Sequence, residues 1–167
     1  PAQQVIKIVF DELVALLGSG NGFDRDTARR LLTERTNGRV DALLSALLFD
    51  ATAPRRTRLN ALWTLVSRGT LDARAYLRLL DEPDASFRAW AIRAAGNRHQ
   101  VDPTVVARLA SMVHDPSPDV RLQLAIASVK VPGLPAIEML TELAATSGDD
   151  EVIPRIVWRN VQPKLTE

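Results

Sequence analysis

The chain has no cysteine among its 167 residues. Disulfides, thiolate metal sites and thioether attachment of haem within it are therefore excluded, while the redox compartment stays open. Histidine is nearly absent, with only His99 and His114, and nothing beside either completes a metal-ligand or catalytic set. A glycine-rich phosphate loop and an HExxH pair are both missing. No apolar run approaches the roughly 20 residues that a membrane-spanning helix needs, and no secretory leader is visible. No stretch shows a clear strand pattern. Net charge is only +1, so bulk electrostatics favours neither nucleic acid nor a membrane surface. Lysine is scarce too: of 21 basic residues only Lys7, Lys130 and Lys164 are lysine. The chain opens on Pro1 rather than Met, as an excised or processed piece would.

What remains is 46% apolar, only 5% aromatic, and rich in Leu, Ala and Arg. The stretch Arg108–Lys130 sets the pattern. Leu109, Met112 and Val113 form an apolar helical stripe. Asp115-Pro116-Ser117-Pro118 breaks it, with Ser117 placed as an N-cap and Pro118 at the first helical position. Val120, Leu124, Ala127 and Ser128 then form a second stripe. Helix, Asp-Pro-x-x-Asp-Val-Arg, helix resembles a HEAT-type repeat. One such unit cannot bury its own apolar face, so neighbours are expected.

The neighbours are marked by an arginine in the first turn of each second helix. Arg25, Arg58, Arg88, Arg121 and Arg155 are spaced 33, 30, 33 and 34 residues apart. Residues 1–9 read as a lead-in segment, either a strand remnant or the start of the first helix, and 10–167 as a single repeat domain. The expected architecture is all-α: a right-handed α-α solenoid of about five HEAT-type helical pairs. Asp72, Asp84 or Ser86, and Asp102 are expected N-caps, and the helix opened by Pro103 is expected to reach His114. Acidic residues precede four markers. Asp50, Asp81, Asp115 and Asp149 are expected to form a structural ladder of charge-assisted hydrogen bonds with Arg58, Arg88, Arg121 and Arg155.

Tryptophan placement points to a partner-binding face. Positions two and five after the marker share a helix face distinct from the core positions −1, +3 and +7. Reading that face along the repeats gives Thr27 and Arg30, Asn60 and Trp63, Trp90 and Arg93, Gln123 and Ile126, and finally Val157 and Asn160; the alternative is that Trp63 and Trp90 pack into grooves between repeats. Such a mixture of tryptophan, arginine, amides and isolated aliphatics suits a protein interface. Trp158, at +3, is expected in the core. The lesser alternative is nucleic acid. Arg25, Arg29, Arg30, Arg35, Arg39, Arg55, Arg56 and Arg58 crowd the first two repeats, and some small DNA glycosylases use a HEAT-like solenoid. Asp24, Asp26, Glu34 and Asp41 interleave with those arginines and argue for solvated or paired charges instead.

Four stretches carry a more specific resemblance: NGFDRDTARRLLTER (21–35), RLNALWTLVSRGTLD (58–72), FRAWAIR (87–93) and DPSPDVRLQLAIAS (115–128). They resemble the HEAT-repeat segment of PVC-type membrane-bound dehydrogenases. PRIVWRNVQPKL (154–165) is similar to that segment's last repeat. The family joins a sugar-dehydrogenase-like β-propeller, HEAT repeats and a c-type cytochrome domain in one bacterial protein. The resemblance implies a non-catalytic spacer and docking domain without a cofactor of its own, in a periplasmic or other extracytoplasmic setting. It implies protein or neighbouring domains as partners. The family often has two aromatics where this chain has Phe23-Asp24.

Overall fold

The computed structural model describes residues 2–34, 38–148 and 150–165, with side chains from residue 9 to 163 of these. Among the described residues there are ten α-helices and no strand. They fall into two compact units, residues 1–71 and 72–167.

The first unit holds α1 (Ala2–Leu16), α2 (Gly22–Glu34), α3 (Gly38–Leu48) and α4 (Arg55–Arg68). The lead-in segment is thus helical from Ala2. Helix α1 pairs with α2 and α3 with α4, while α2 also meets α4 and α1 meets α3. First helices therefore share one layer and second helices another, as in stacked helical repeats. Leu17, Leu32, Leu44, Leu48, Leu62 and Leu65 fill the space between them and are almost wholly buried. Each such side chain contributes about 1.5–3 kcal/mol by leaving water. Gly69 ends α4 with φ 68°, and its N–H reaches back to the Val66 carbonyl, a left-handed turn that glycine adopts without steric cost.

An ion pair pins this unit. The Arg68 guanidinium donates to both Asp41 carboxylate oxygens and to the Leu32 carbonyl. It thereby ties the end of α2 and the start of α3 to the end of α4. The Thr70 hydroxyl donates to the same carboxylate at 2.8 Å. Burial pushes the Asp41 carboxyl upward, but the hydrogen bonds from Arg68 and Thr70 and the Arg68 charge outweigh it, so its pKa lies below the ordinary value.

The second unit holds α5 (Ala73–Leu80), α6 (Ala85–Ala95), α7 (Pro103–Ala110), α8 (Pro118–Ala127), α9 (Ala136–Ala145) and α10 (Val152–Val161), then a 3₁₀ turn over Gln162–Leu165. Helix α6 packs on α5 and α8; α8 packs on α9 and α10. The aspartate caps stand where the sequence puts them: Asp72 accepts from Ala75 N–H, Asp84 from Ser86 N–H, and Asp102 from Thr104 N–H. Each cap is worth about 1 kcal/mol. Helix α7 stops at Ala110, short of the expected His114. There the Ser111 hydroxyl takes the Arg108 carbonyl and Met112 N–H turns to the Leu109 carbonyl, three residues back, tightening the chain into turns.

Candidate protein-docking face

Register decides which side chains this face presents. In α6 and α8 the residues at −1 and +3 from the marker arginine are fully buried: Phe87 and Ala91, then Val120 and Leu124. In α10 the buried pair is Ile153 and Val157, which matches −1 and +3 only if Pro154, not Arg155, holds the marker position. The α10 residues at +2 and +5 are then Ile156 and Arg159. The signal was available in the sequence, in the apolar pair rather than in the arginine.

With that correction the second unit carries a continuous run: Trp90 and Arg93 on α6, Gln123 and Ile126 on α8, Ile156 and Arg159 on α10. Trp90, Gln123, Ile126 and Ile156 are half-buried, Arg93 and Arg159 exposed. A depression of about 230 Å³ is lined by Ser86, Trp90, Arg93, Asp119 and Gln123 among others. A second, of about 250 Å³, shares Arg93 and Gln123 and adds Asn97, Ile126 and Lys130. A third, of about 340 Å³, lies among Val152, Arg155, Ile156 and Arg159. The Arg93 guanidinium carbon stands 5.0 Å from the Trp90 ring centroid, a cation–π contact worth about 0.5–1 kcal/mol at an exposed site.

Other expected members of the face lie elsewhere. Asn60 is only 3% exposed, and its side-chain amide donates to the Leu17 carbonyl at 3.0 Å. It satisfies a carbonyl left over at the end of α1 rather than facing a partner. Asn160 is half-buried and donates to the Ala125 carbonyl at 3.0 Å, which stitches α10 to α8. Trp63, in the first unit, is half-buried beneath Arg29, whose guanidinium carbon lies 5.7 Å from its ring centroid. Trp158, expected in the core, is 61% exposed.

Among the described residues one rung is plain, between Arg88 and Asp115, and the Arg58 charge also acts on Asp50. Arg88 donates from Nε and from one terminal nitrogen to the two Asp115 oxygens, both at 2.8 Å. Burial raises the Asp115 pKa, but the hydrogen bonds from Arg88 and Ser117 N–H and the nearby Arg88 and Arg121 charges lower it further, below the ordinary range. Asp81 pairs instead with Arg108. The Asp50 carboxylate folds onto Thr52, Arg58 donates to the Leu48 carbonyl, and Arg155 stands exposed. Asp149 lies outside the described residues. A different role recurs in the markers. Arg25, Arg88 and Arg121 each donate to the carbonyls six and five residues back: Ser19 and Gly20, Glu82 and Pro83, Asp115 and Pro116. In these three the arginine clamps its own preceding turn, and Arg88 adds its bonds to Asp115 ahead of the next second helix.

Among the described residues no group of three His, Asp or Glu side chains converges as a metal site would require. His114 approaches Glu142 at 3.6 Å on an exposed surface. The basic cluster of the first unit is partly spoken for. Arg25 clamps its turn, Arg30 pairs with Glu34, Arg29 lies 3.7 Å from Asp26, and Arg39 lies 3.9 Å from Asp11. Arg35 is outside the described residues, while Arg55 and Arg56 are exposed. No described helix is long and apolar enough to cross a membrane.

Residues 76–158 match the HEAT repeats family. The chain also matches, with a TM-score of 0.71 and 18% sequence identity, the structure of the complex of CpcE and CpcF of phycocyanin lyase from Nostoc sp. PCC7120, over 92% of this chain and 98% of that one. The chain is an all-α solenoid. No curated protein matches it in sequence.

Proposed function

We propose that the chain is a non-catalytic docking and spacer module of a larger bacterial protein. In this reading residues 10–167 act as one repeat domain, set between a sugar-dehydrogenase-like propeller and a c-type haem domain on the extracytoplasmic side. The observation that carries the docking role is the run Trp90, Arg93, Gln123, Ile126, Ile156 and Arg159, which lines two depressions that share Arg93 and Gln123 and a third on α10. An aromatic anchor, forked cations and amides beside aliphatic carbon are the residue types that hold protein surfaces. The parent assignment is supported by the four sequence stretches that resemble the dehydrogenase family. The matched Nostoc chain comes from the structure of a complex of two proteins, which agrees with an interaction role.

The test is a photo-crosslinking residue at position 90 in the protein encoded by the complete gene. The expected product joins α6 to a propeller or haem domain of the same polypeptide. A complete gene without a propeller and without a CxxCH haem motif would overturn the parent assignment. Sub-micromolar, salt-resistant binding to duplex DNA, weakened by Arg29→Ala with Arg30→Ala, would replace docking with nucleic-acid recognition, since non-specific phosphate binding fades with salt.

A further inference from the structure

The two depressions between α6 and α8 are made of different chemistry. In the first, Ala89, Trp90 and Leu122 supply apolar surface and Asp119 a carboxylate. The second gathers four side-chain donors, Arg93, Asn97, Gln123 and Lys130, and no acidic residue lines it. Its floor is small: a Cβ on Gly96 would stand 3.4 Å from the Ala127 Cβ, so the helices approach closely there and the longer side chains form the walls. Among the described residues none of the four donors has a hydrogen bond or an ion pair; Arg93 only rests against the Trp90 ring. They are not consumed as helix caps either. Backbone N–H groups of Gly96, Asn97 and Arg98 already take the carbonyls of Ile92, Ala94 and Ala95, and those of Ser128 and Lys130 take Leu124 and Ala127. Arg88 and Arg108, by contrast, are spent on Asp115 and Asp81.

We propose that the second depression receives a carboxylate side chain, and that the partner's docking segment is a short stretch in which an Asp or Glu stands near an apolar residue seated against Trp90. The inference rests on the docking reading above and names the chemistry of its partner. The donor set suits a carboxylate: Arg93 offers a planar fork, Lys130 a point charge, and Asn97 and Gln123 neutral N–H groups. The ends of α6 and α8 carry partial negative charge, but the carbonyls named above already accept N–H groups, and two full positive charges line the same depression. The two depressions share Arg93 and Gln123, so one short segment reaches both. Asp119 limits the choice of anion. A nucleic-acid strand lying along both depressions would set phosphate against that carboxylate, and like charges across a contact select against it. A single acid beside an apolar residue meets only cations, amides and the indole.

The test uses the protein encoded by the complete gene, with a photo-crosslinking residue at position 90, in two backgrounds: otherwise unchanged, and Arg93→Glu with Lys130→Glu. Circular dichroism checks the fold of each. In the unchanged background, mass spectrometry of the product is expected to find an Asp or Glu within about four residues of the crosslinked position, the reach of a short extended stretch. The two glutamates are expected to lower crosslinking about ten-fold, because like charges now meet. Changing the partner's acid to lysine in that background restores it, which a misfolded variant would not allow. Undiminished crosslinking in the double variant, no acid near the crosslinked position, or no restoration by lysine each overturns the carboxylate site and leaves the docking reading standing. A crosslink to a second copy of the chain overturns the site too, because the occupant is then the chain itself. No crosslink in the unchanged background overturns both readings together.

Discussion

Helices α8 and α10 are each ten residues long and each is the second helix of its pair, yet they sit differently in their surroundings. Helix α8 lies between α6 and α10 and buries Val120, Leu124, Ala125 and Ala127. Helix α10 has α8 on one side and buries Ile153 and Val157. In α8 the marker arginine clamps its turn; in α10 a proline holds that place and Arg155 turns to solvent. Two positions with the same helical address, Ala125 and Trp158, are respectively fully buried and 61% exposed. In a stacked fold burial is set by the next element as much as by a helix's own pattern, and a small residue fits where a helix must approach closely.

The widest separation between the two helices is expected in stability. Leu124→Ala removes a fully buried side chain and leaves a cavity, so it should destabilise by roughly 2–5 kcal/mol in urea unfolding. Trp158→Ala removes more atoms but little buried surface, and should fall within about 0.5 kcal/mol of the parent. A loss above about 2 kcal/mol at Trp158 would break the comparison and return that residue to the core.

A second contrast lies in two arginine–aspartate pairs of equal sequence span. Arg88 and Asp115 have side chains only 11% and 7% exposed, against 36% and 66% for Arg108 and Asp81. Arg88→Ala strands a largely buried carboxylate that keeps its Ser117 N–H bond and the nearby Arg121 charge, and should cost about 2–3 kcal/mol. Arg108→Ala should cost less than about 1 kcal/mol, because water screens the pair. The pH dependence sharpens the difference. The Asp115 pKa is lowered in the folded chain, so its contribution is fully present above the unfolded carboxylate value of about 3.9 and is lost as pH falls through the lower folded value. The gap between wild type and Arg88→Ala should therefore close only below about pH 4. A gap that shrinks between pH 5 and 7 would show that another group governs it.

Much of this was legible from local chemistry. Asp72 and Asp102 could be read as caps because the acceptor and its N–H lie two or three residues apart, and Gly69 as a stop because the chain needs a positive φ there. The apolar stripes of α6 and α8 follow from helical spacing alone. Long-range features were not legible. Nothing near Asn60 announces that the Leu17 carbonyl, 43 residues away, will need its amide. Asp41 and Arg68 have no repeated counterpart to reveal their pairing. The marker arginine itself misled at α10, because its spacing there reflects turn length, and only the buried pair Ile153 and Val157 fixes the register that puts Ile156 and Arg159 on the proposed docking face.

The smallest expected effect costs no stability and is read by light. Iodide reaches indoles only where solvent does, so quenching reports exposure directly. Trp158, at 61% exposed, should quench most strongly. Trp90 and Trp63 are half-buried beside guanidinium groups, which attract the anion locally, so they should quench measurably but less. Variants that keep one tryptophan and replace the other two with phenylalanine assign each signal. Acrylamide, a neutral quencher, separates the contributions. If the order is set by exposure it persists with acrylamide, whereas if the arginines dominate, Trp63 and Trp90 fall further behind Trp158 when iodide is replaced. A Trp158 signal less accessible than the other two with both quenchers would mean that something covers +4 of α10 as it covers Ala125, and α8 and α10 would cease to differ.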